Sequence, residues 1–149
     1  MSRPEEPIRS PASDGPWLPA DFGAVRRFAA GEFLFHAGEA PSGMYIIDAG
    51  RVEVFVPVEG GESKVLAELG PNDTVGEMAV LDDVTRSASA RAAVETETRF
   101  LEREELLRLL ERRPAIALGF IREFIHRMRA INRRYFDEIV QADRLATVG

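Results

Sequence analysis

The chain has no cysteine. A disulfide framework, a thiolate metal site and a cysteine nucleophile are therefore excluded, and a reducing cytoplasm is the compartment that best suits the composition. Lysine is nearly as scarce, with Lys64 alone against 18 arginines, and the net charge is −6. A broad cationic surface for a polyphosphate is not expected, nor is nucleic acid as a partner. Only two histidines occur, His36 and His126, with no His-x-His pair. A transition-metal centre would need ligands that the sequence does not cluster, so neither a metal nor a cofactor is expected. No serine nucleophile stands beside a histidine base, which argues against an enzyme. The longest uncharged apolar run, Ala115 to Ile121, is far shorter than the ~20 residues of a membrane span, and no membrane partner is expected.

What is present suffices for one domain with a core: 149 residues, 45% of them hydrophobic. Residues 1–20 hold five of the nine prolines (Pro4, Pro7, Pro11, Pro16, Pro19) and read as a disordered arm, with Trp17 and Leu18 as candidates to dock on the domain. Asp21 to Phe28 reads as a short helix with Phe22, Val25 and Phe28 on one side. Short strands follow. Phe33 and Phe35 alternate with Leu34 and His36; Met44–Asp48 and Arg51–Val56 flank a turn at Ala49-Gly50. In the second of these, Val52, Val54 and Val56 face one way and Arg51, Glu53 and Phe55 the other, the pattern of a half-buried sheet. Gly60-Gly61 predicts a hairpin turn before Val65, Ala67 and Leu69, and Asn72 is a candidate left-handed residue. Ala88–Val94 and Thr98–Leu101 complete a series spaced as in a β-sandwich or jelly roll.

Between the strands, residues 76–90 form a stretch suited to one small anion. Gly76 permits the open backbone angles of a close approach, and Met78 to Leu81 predict one helical turn with free N–H groups. Arg86 supplies a forked permanent charge and Ser87 a hydroxyl beside it. Glu77 is out of place in an anion site unless it accepts a hydrogen bond from a neutral hydroxyl. A phosphate joined to a sugar meets all of these demands. The same residues also fit a plain turn and helix in which Glu77 forms a structural ion pair with Arg86.

Gly76-Glu77-Met78-Ala79 followed by Arg86-Ser87-Ala88-Ser89 resembles the phosphate-binding cassette of the cyclic nucleotide-binding domain family. That family includes bacterial catabolite activators, kinase regulatory subunits and gated channels, and the likeness covers roughly Phe22 to Asn132. It implies a mainly β fold with flanking helices, a jelly roll followed by a long C-terminal helix. It also implies a phosphate held by Arg86, Ser87 and the backbone at Gly76, Met78 and Ala79, and a ribose 2′-hydroxyl held by Glu77. Ile131, Asn132 and Ser87 are the implied base contacts. Val75 stands where the family often has an aromatic, and Thr85 where it often has proline; neither change removes a ligand-contacting group. The ligand would be cAMP or cGMP, between which the sequence does not choose.

Glu104 to Arg112 predicts a helix, acidic at its start and basic at its end, stopped by Pro114. A longer helix follows, with Ile121, Ile125, Met128, Asn132, Tyr135, Ile139, Ala142 and Ala146 at alternating spacings of four and three, a seam suited to a homodimer. Its first turns are expected to cover the nucleotide, placing the domain over residues 21–132 and a coiled-coil signalling helix over 133–149. Residues 144–149, Arg-Leu-Ala-Thr-Val-Gly, resemble the opening of the phosphoacceptor helix of bacterial sensor histidine kinases. The expectation is a segment of a longer protein with a kinase core in cis. The alternative is a nucleotide-free dimerisation and positioning module.

Overall fold

The computed structural model describes residues 8–9, 17–58 and 60–129. Two sheets make up the body. One has the order β1-β6-β5-β8-β3 and the other β2-β9-β4-β7. The strands are β1 (Ile8–Arg9), β2 (Ala24–Phe28), β3 (Phe33–Phe35), β4 (Gly43–Ala49), β5 (Val52–Pro57), β6 (Ser63–Leu69), β7 (Thr74–Val75), β8 (Ser89–Ala92) and β9 (Thr96–Glu102). Every pairing is antiparallel except β1 with β6. Helix α1 (Glu77–Asp82) follows β7, helix α2 (Arg103–Arg112) follows β9, and residues 114–129 continue as α3. The expected jelly roll with a C-terminal helix is what the chain forms.

In the second sheet β4, β7 and β9 are buried on both faces and divide their side chains between two cores. Tyr45, Ile47, Val75 and Phe100 point between the sheets, where they meet Leu34, Phe35, Val52, Ala90 and Ala92. Met44, Ile46 and Leu101 point outward, under Val80 of α1, Leu106 and Leu109 of α2, and Ile116 and Phe120 of α3. This double burial is why Met44-Tyr45-Ile46-Ile47 is a continuous apolar run rather than an alternation. β5 is half-buried as its pattern predicts: Val52 and Val54 join the inter-sheet core. Phe55 on the other face is covered by the Phe33 ring at 5.6 Å and the Arg91 guanidinium at 4.6 Å.

Residues 21–28 differ from the helix expected of them. Gly23 takes a φ of +88° and Ala24–Phe28 pair with β9, with Val25 59% exposed. The spacing of Phe22, Val25 and Phe28 suits a helix, but the free edge of β9 offers five residues a full ladder of backbone bonds, and tertiary pairing overrides the local pattern. The arm expected over residues 1–20 also contributes to the body. β1 adds an edge strand, and Leu18 is 1% exposed within the outer core.

The turns follow their residues. Val58 N–H bonds Glu62 O at 2.9 Å around Gly60-Gly61, and Asn72 is left-handed, with φ +72°. α2 carries Glu104 and Glu105 in its first turn and Arg112 in its last. The break between α2 and α3 is a single residue, Arg113, held extended because it precedes proline; Pro114 opens α3 rather than only ending α2.

Candidate functional site

β7 ends at Val75, and Gly76 turns the chain into α1 with a φ of +83°. A Cβ at Gly76 would collide with Arg86 Nη1 and lie 3.0 Å from the Phe35 ring, so both the dihedral and the space require glycine. α1 closes on Asp83, also left-handed, and the chain returns to Arg86. There the backbone is clamped by the β3–β4 loop. Arg86 N–H donates to Glu39 O at 2.9 Å, and Arg86 O accepts from Gly38 N–H at 2.8 Å.

This clamp sets the Arg86 side chain into the body, 5% exposed. Its Nη1 donates to Gly76 O at 2.6 Å, its Nη2 donates to Gly43 O, and its guanidinium lies 4.1 Å over the Phe35 ring. Its Nε is buried with no hydrogen bond. Burial pulls the guanidinium below its ordinary pKa, opposed by Tyr45, Glu39 and Glu77. The result is a desolvated cation at the N-terminal end of α1, with its Nε still uncommitted. An anion is what such a group lacks.

Glu77 is 7% exposed, and its ion pair is with Arg127 of α3, whose Nη1 lies 3.0 Å from Glu77 Oε1. The Glu77–Arg86 ion pair open from the sequence is not formed; Arg86 donates to backbone carbonyls instead. Arg127 Nη2 also lies 3.5 Å from Asp73 Oδ1, while Asp73 Oδ2 accepts the Gly70 N–H at 2.7 Å. Thr74, Glu77, Phe120, Glu123, Phe124 and Arg127 line the recess between the cassette and α3.

Gly76, Glu77, Met78, Ala79, Arg86 and Ser87 are thus gathered on one loop–helix–loop at the end of β7. Their contributions differ. Ser87 is exposed on the bend beside Arg86, Met78 is 56% exposed and Ala79 is half-buried. Ile131 and Asn132, the implied base contacts, lie outside the described residues. Arg127 was not singled out in the sequence. It is one of 18 arginines, 50 residues from Glu77, and no local spacing marks it. His36 bonds Glu39 Oε1 at 2.9 Å and stacks on Phe33. Among the described residues no group of three metal-ligating side chains occurs, and no helix is long and apolar enough to cross a membrane.

A cassette of this shape between two jelly-roll strands has a counterpart among known families. The profile of the cyclic nucleotide-binding domain matches residues 25–113, more than half of the chain. The chain belongs to the cyclic nucleotide-binding domain family. Within that family it is similar to the cyclic AMP receptor protein of Thermus thermophilus, 36% identical over 104 residues, 70% of this chain and 48% of the relative. It is also similar to the CRP-like cAMP-activated global transcriptional regulator of Mycobacterium tuberculosis, 30% identical over 112 residues, 75% of this chain and 50% of the relative. The crystal structure of the Thermus thermophilus catabolite activator protein matches with a TM-score of 0.63 at 32% identity, covering 83% of this chain and 55% of that one. The chain spans about half the length of the curated relatives it matches.

Proposed function

We propose that this domain binds a cyclic nucleotide in the cassette and passes the signal through α3 to a dimeric helix beyond it. The observation that carries this reading is the state of Arg86: a buried guanidinium at the start of α1 with Nε uncommitted, beside the exposed hydroxyl of Ser87. The cyclic phosphate would take Arg86, Ser87 and the backbone at Gly76, Met78 and Ala79. Glu77 would accept the ribose 2′-hydroxyl, and Ile131, Asn132 and Ser87 would meet the base. Arg127 joins this set through Glu77, because whatever occupies Glu77 also meets the group that holds α3. Of cAMP and cGMP, cAMP is named for both curated relatives and is the first to test.

The signal would leave through α3, where Leu118, Ile121, Ile125 and Met128 are 40–50% exposed at spacings of three, four and three. Such a stripe favours a twin helix, so the active form is a homodimer. The output module is a histidine kinase core in cis, a reading that rests on residues 144–149 alone. The domain itself performs no catalysis in this scheme. The same stripe also favours a second reading, a nucleotide-free dimerisation and positioning module.

Calorimetry on nucleotide-free protein with cAMP and cGMP in parallel, and Arg86→Ala as control, separates the two. Micromolar or tighter binding that Arg86→Ala loses is the expected result. A folded, nucleotide-free protein that binds neither nucleotide would overturn the sensor reading.

A further inference from the structure

α3 is held to the body in two different ways along its length. Ile116 and Phe120 are each 7% exposed and belong to the outer core, whereas residues 121–129 are all half-buried or exposed. Beyond Phe120, Arg127 reaches Glu77 and Asp73, and the half-buried Glu123 and Phe124 line the same recess. That hold is imperfect: Arg127 Nε and Nη2 are buried without a hydrogen bond.

The proximal part is clasped from the N-terminal side. Trp17 places its ring edge-on to Phe120, with centroids 4.9 Å apart, and Leu18 is 1% exposed beneath the same helix. Gly119 makes room for this, since a Cβ there would sit 3.2 Å from Trp17 Cβ. The clasp is anchored at its other end by a buried arginine. Arg99, 5% exposed and paired with Asp48, donates to the carbonyls of Leu18, Pro19 and Phe22 at 3.4, 2.5 and 3.2 Å. A guanidinium that collects three carbonyls of one turn fixes that turn to the β9 strand carrying it.

We infer that residues 17–22 are a strap that pins the first turns of α3, so that Phe120 is the fulcrum and only the helix beyond it moves when the site fills. Deeply buried apolar packing holds one side of the fulcrum; the other is held by the half-buried Phe124 and by a polar latch shared with the candidate ribose group Glu77. A ligand that competes for Glu77 acts on the latch and leaves the strap in place. The signalling role of the strap rests on the nucleotide-binding reading above, whereas the division of the helix does not.

Hydrogen exchange on the full chain tests both parts. Without nucleotide, Trp17→Ala is expected to speed exchange in residues 114–120 by about tenfold. Arg127→Gln is expected to speed exchange in 121–129 and leave 114–120 within about twofold. Should Trp17→Ala fail to fold, Trp17→Leu keeps a buried apolar chain without the ring contact and is expected to give the same pattern at about threefold. Equal acceleration of both segments by Arg127→Gln, or no response of 114–120 to the Trp17 variants, overturns the strap. With cAMP added, the changes in α3 are expected beyond Phe120 only, and changes of equal size in 114–120 overturn the fulcrum. A protein that binds neither nucleotide yet shows the two-segment pattern overturns the sensor reading and leaves the strap.

Discussion

Arg127 Nη1 stands 3.0 Å from Glu77 Oε1, with both side chains largely buried. The pair joins α3 to Glu77 of the cassette, and the same Arg127 reaches Asp73 at 3.5 Å. The Glu77 carboxylate is therefore one of the groups that hold α3 to the body.

The coupling is measurable without ligand. A double-mutant cycle of Glu77→Gln and Arg127→Gln, followed by chemical denaturation, is expected to give an interaction energy of about 1–3 kcal/mol. Side chains only 15% and 10% exposed lose little of it to solvent screening. A value below about 0.5 kcal/mol would mean that the pair does not hold the helix.

Arg86 has both a structural and a binding part to lose. Arg86→Ala orphans the buried carbonyls of Gly43 and Gly76, and is expected to cost about 1–3 kcal/mol of stability. In the proposed function it also weakens nucleotide binding by about 2–5 kcal/mol, roughly thirty-fold to several-thousand-fold. Arg86→Lys keeps the charge but cannot reach both carbonyls while lying flat on Phe35, and titration should find binding weaker by about tenfold or more.

Burial lowers the Arg86 pKa in the folded chain, so folding disfavours its charged form. The sign follows: any stability gained by losing that proton would come only as pH rises through the lowered value. A guanidinium stays protonated at every accessible pH, and Arg86 should therefore contribute no slope to stability between about pH 6 and 9. Denaturation midpoints of Arg86→Met, which has no titrating group, and the parent chain, compared across that range, should run parallel.

Gly76→Ala tests the cassette backbone. A side chain there meets a φ of +83° and the Arg86 guanidinium together, with an expected loss of about 1–3 kcal/mol in thermal or chemical denaturation. Gly60→Ala is the control, because its left-handed turn has open space around it and loses only the dihedral preference. The Gly76 variant should be the more damaging of the two.

Ile125→Asp tests the exposed stripe. Ile125 is 44% exposed, so the change should leave the fold of one chain intact while abolishing self-association. Sedimentation is expected to find the parent chain dimeric and the variant monomeric. Identical sedimentation of the two would remove the twin helix from the proposed mechanism.

Much of this protein was legible along the chain. Where a residue's role is local, its type suffices: Asn72 and Gly76 are left-handed because asparagine and glycine tolerate that region best, Gly60-Gly61 turns a hairpin, and Pro114 separates two helices. The cassette is legible for the same reason, since Gly76 to Ser87 are neighbours in sequence and need only one loop and one short helix to meet.

Tertiary structure decided what depends on partners far away in the chain. Residues 24–28 became a strand because β9, some 70 residues later, had a free edge, although their own spacing suits a helix. Leu18 entered the core because Arg99 collects the carbonyls around it and α3 covers it, neither of which composition reveals. The partner of Glu77 was likewise settled at a distance. The clamp of the Arg86 backbone by Gly38 and Glu39 turns its guanidinium toward carbonyls, and α3 brings Arg127 to the vacated acid. Local geometry is written in residue types, whereas the pairing of charges between elements follows from how the sheets and helices pack.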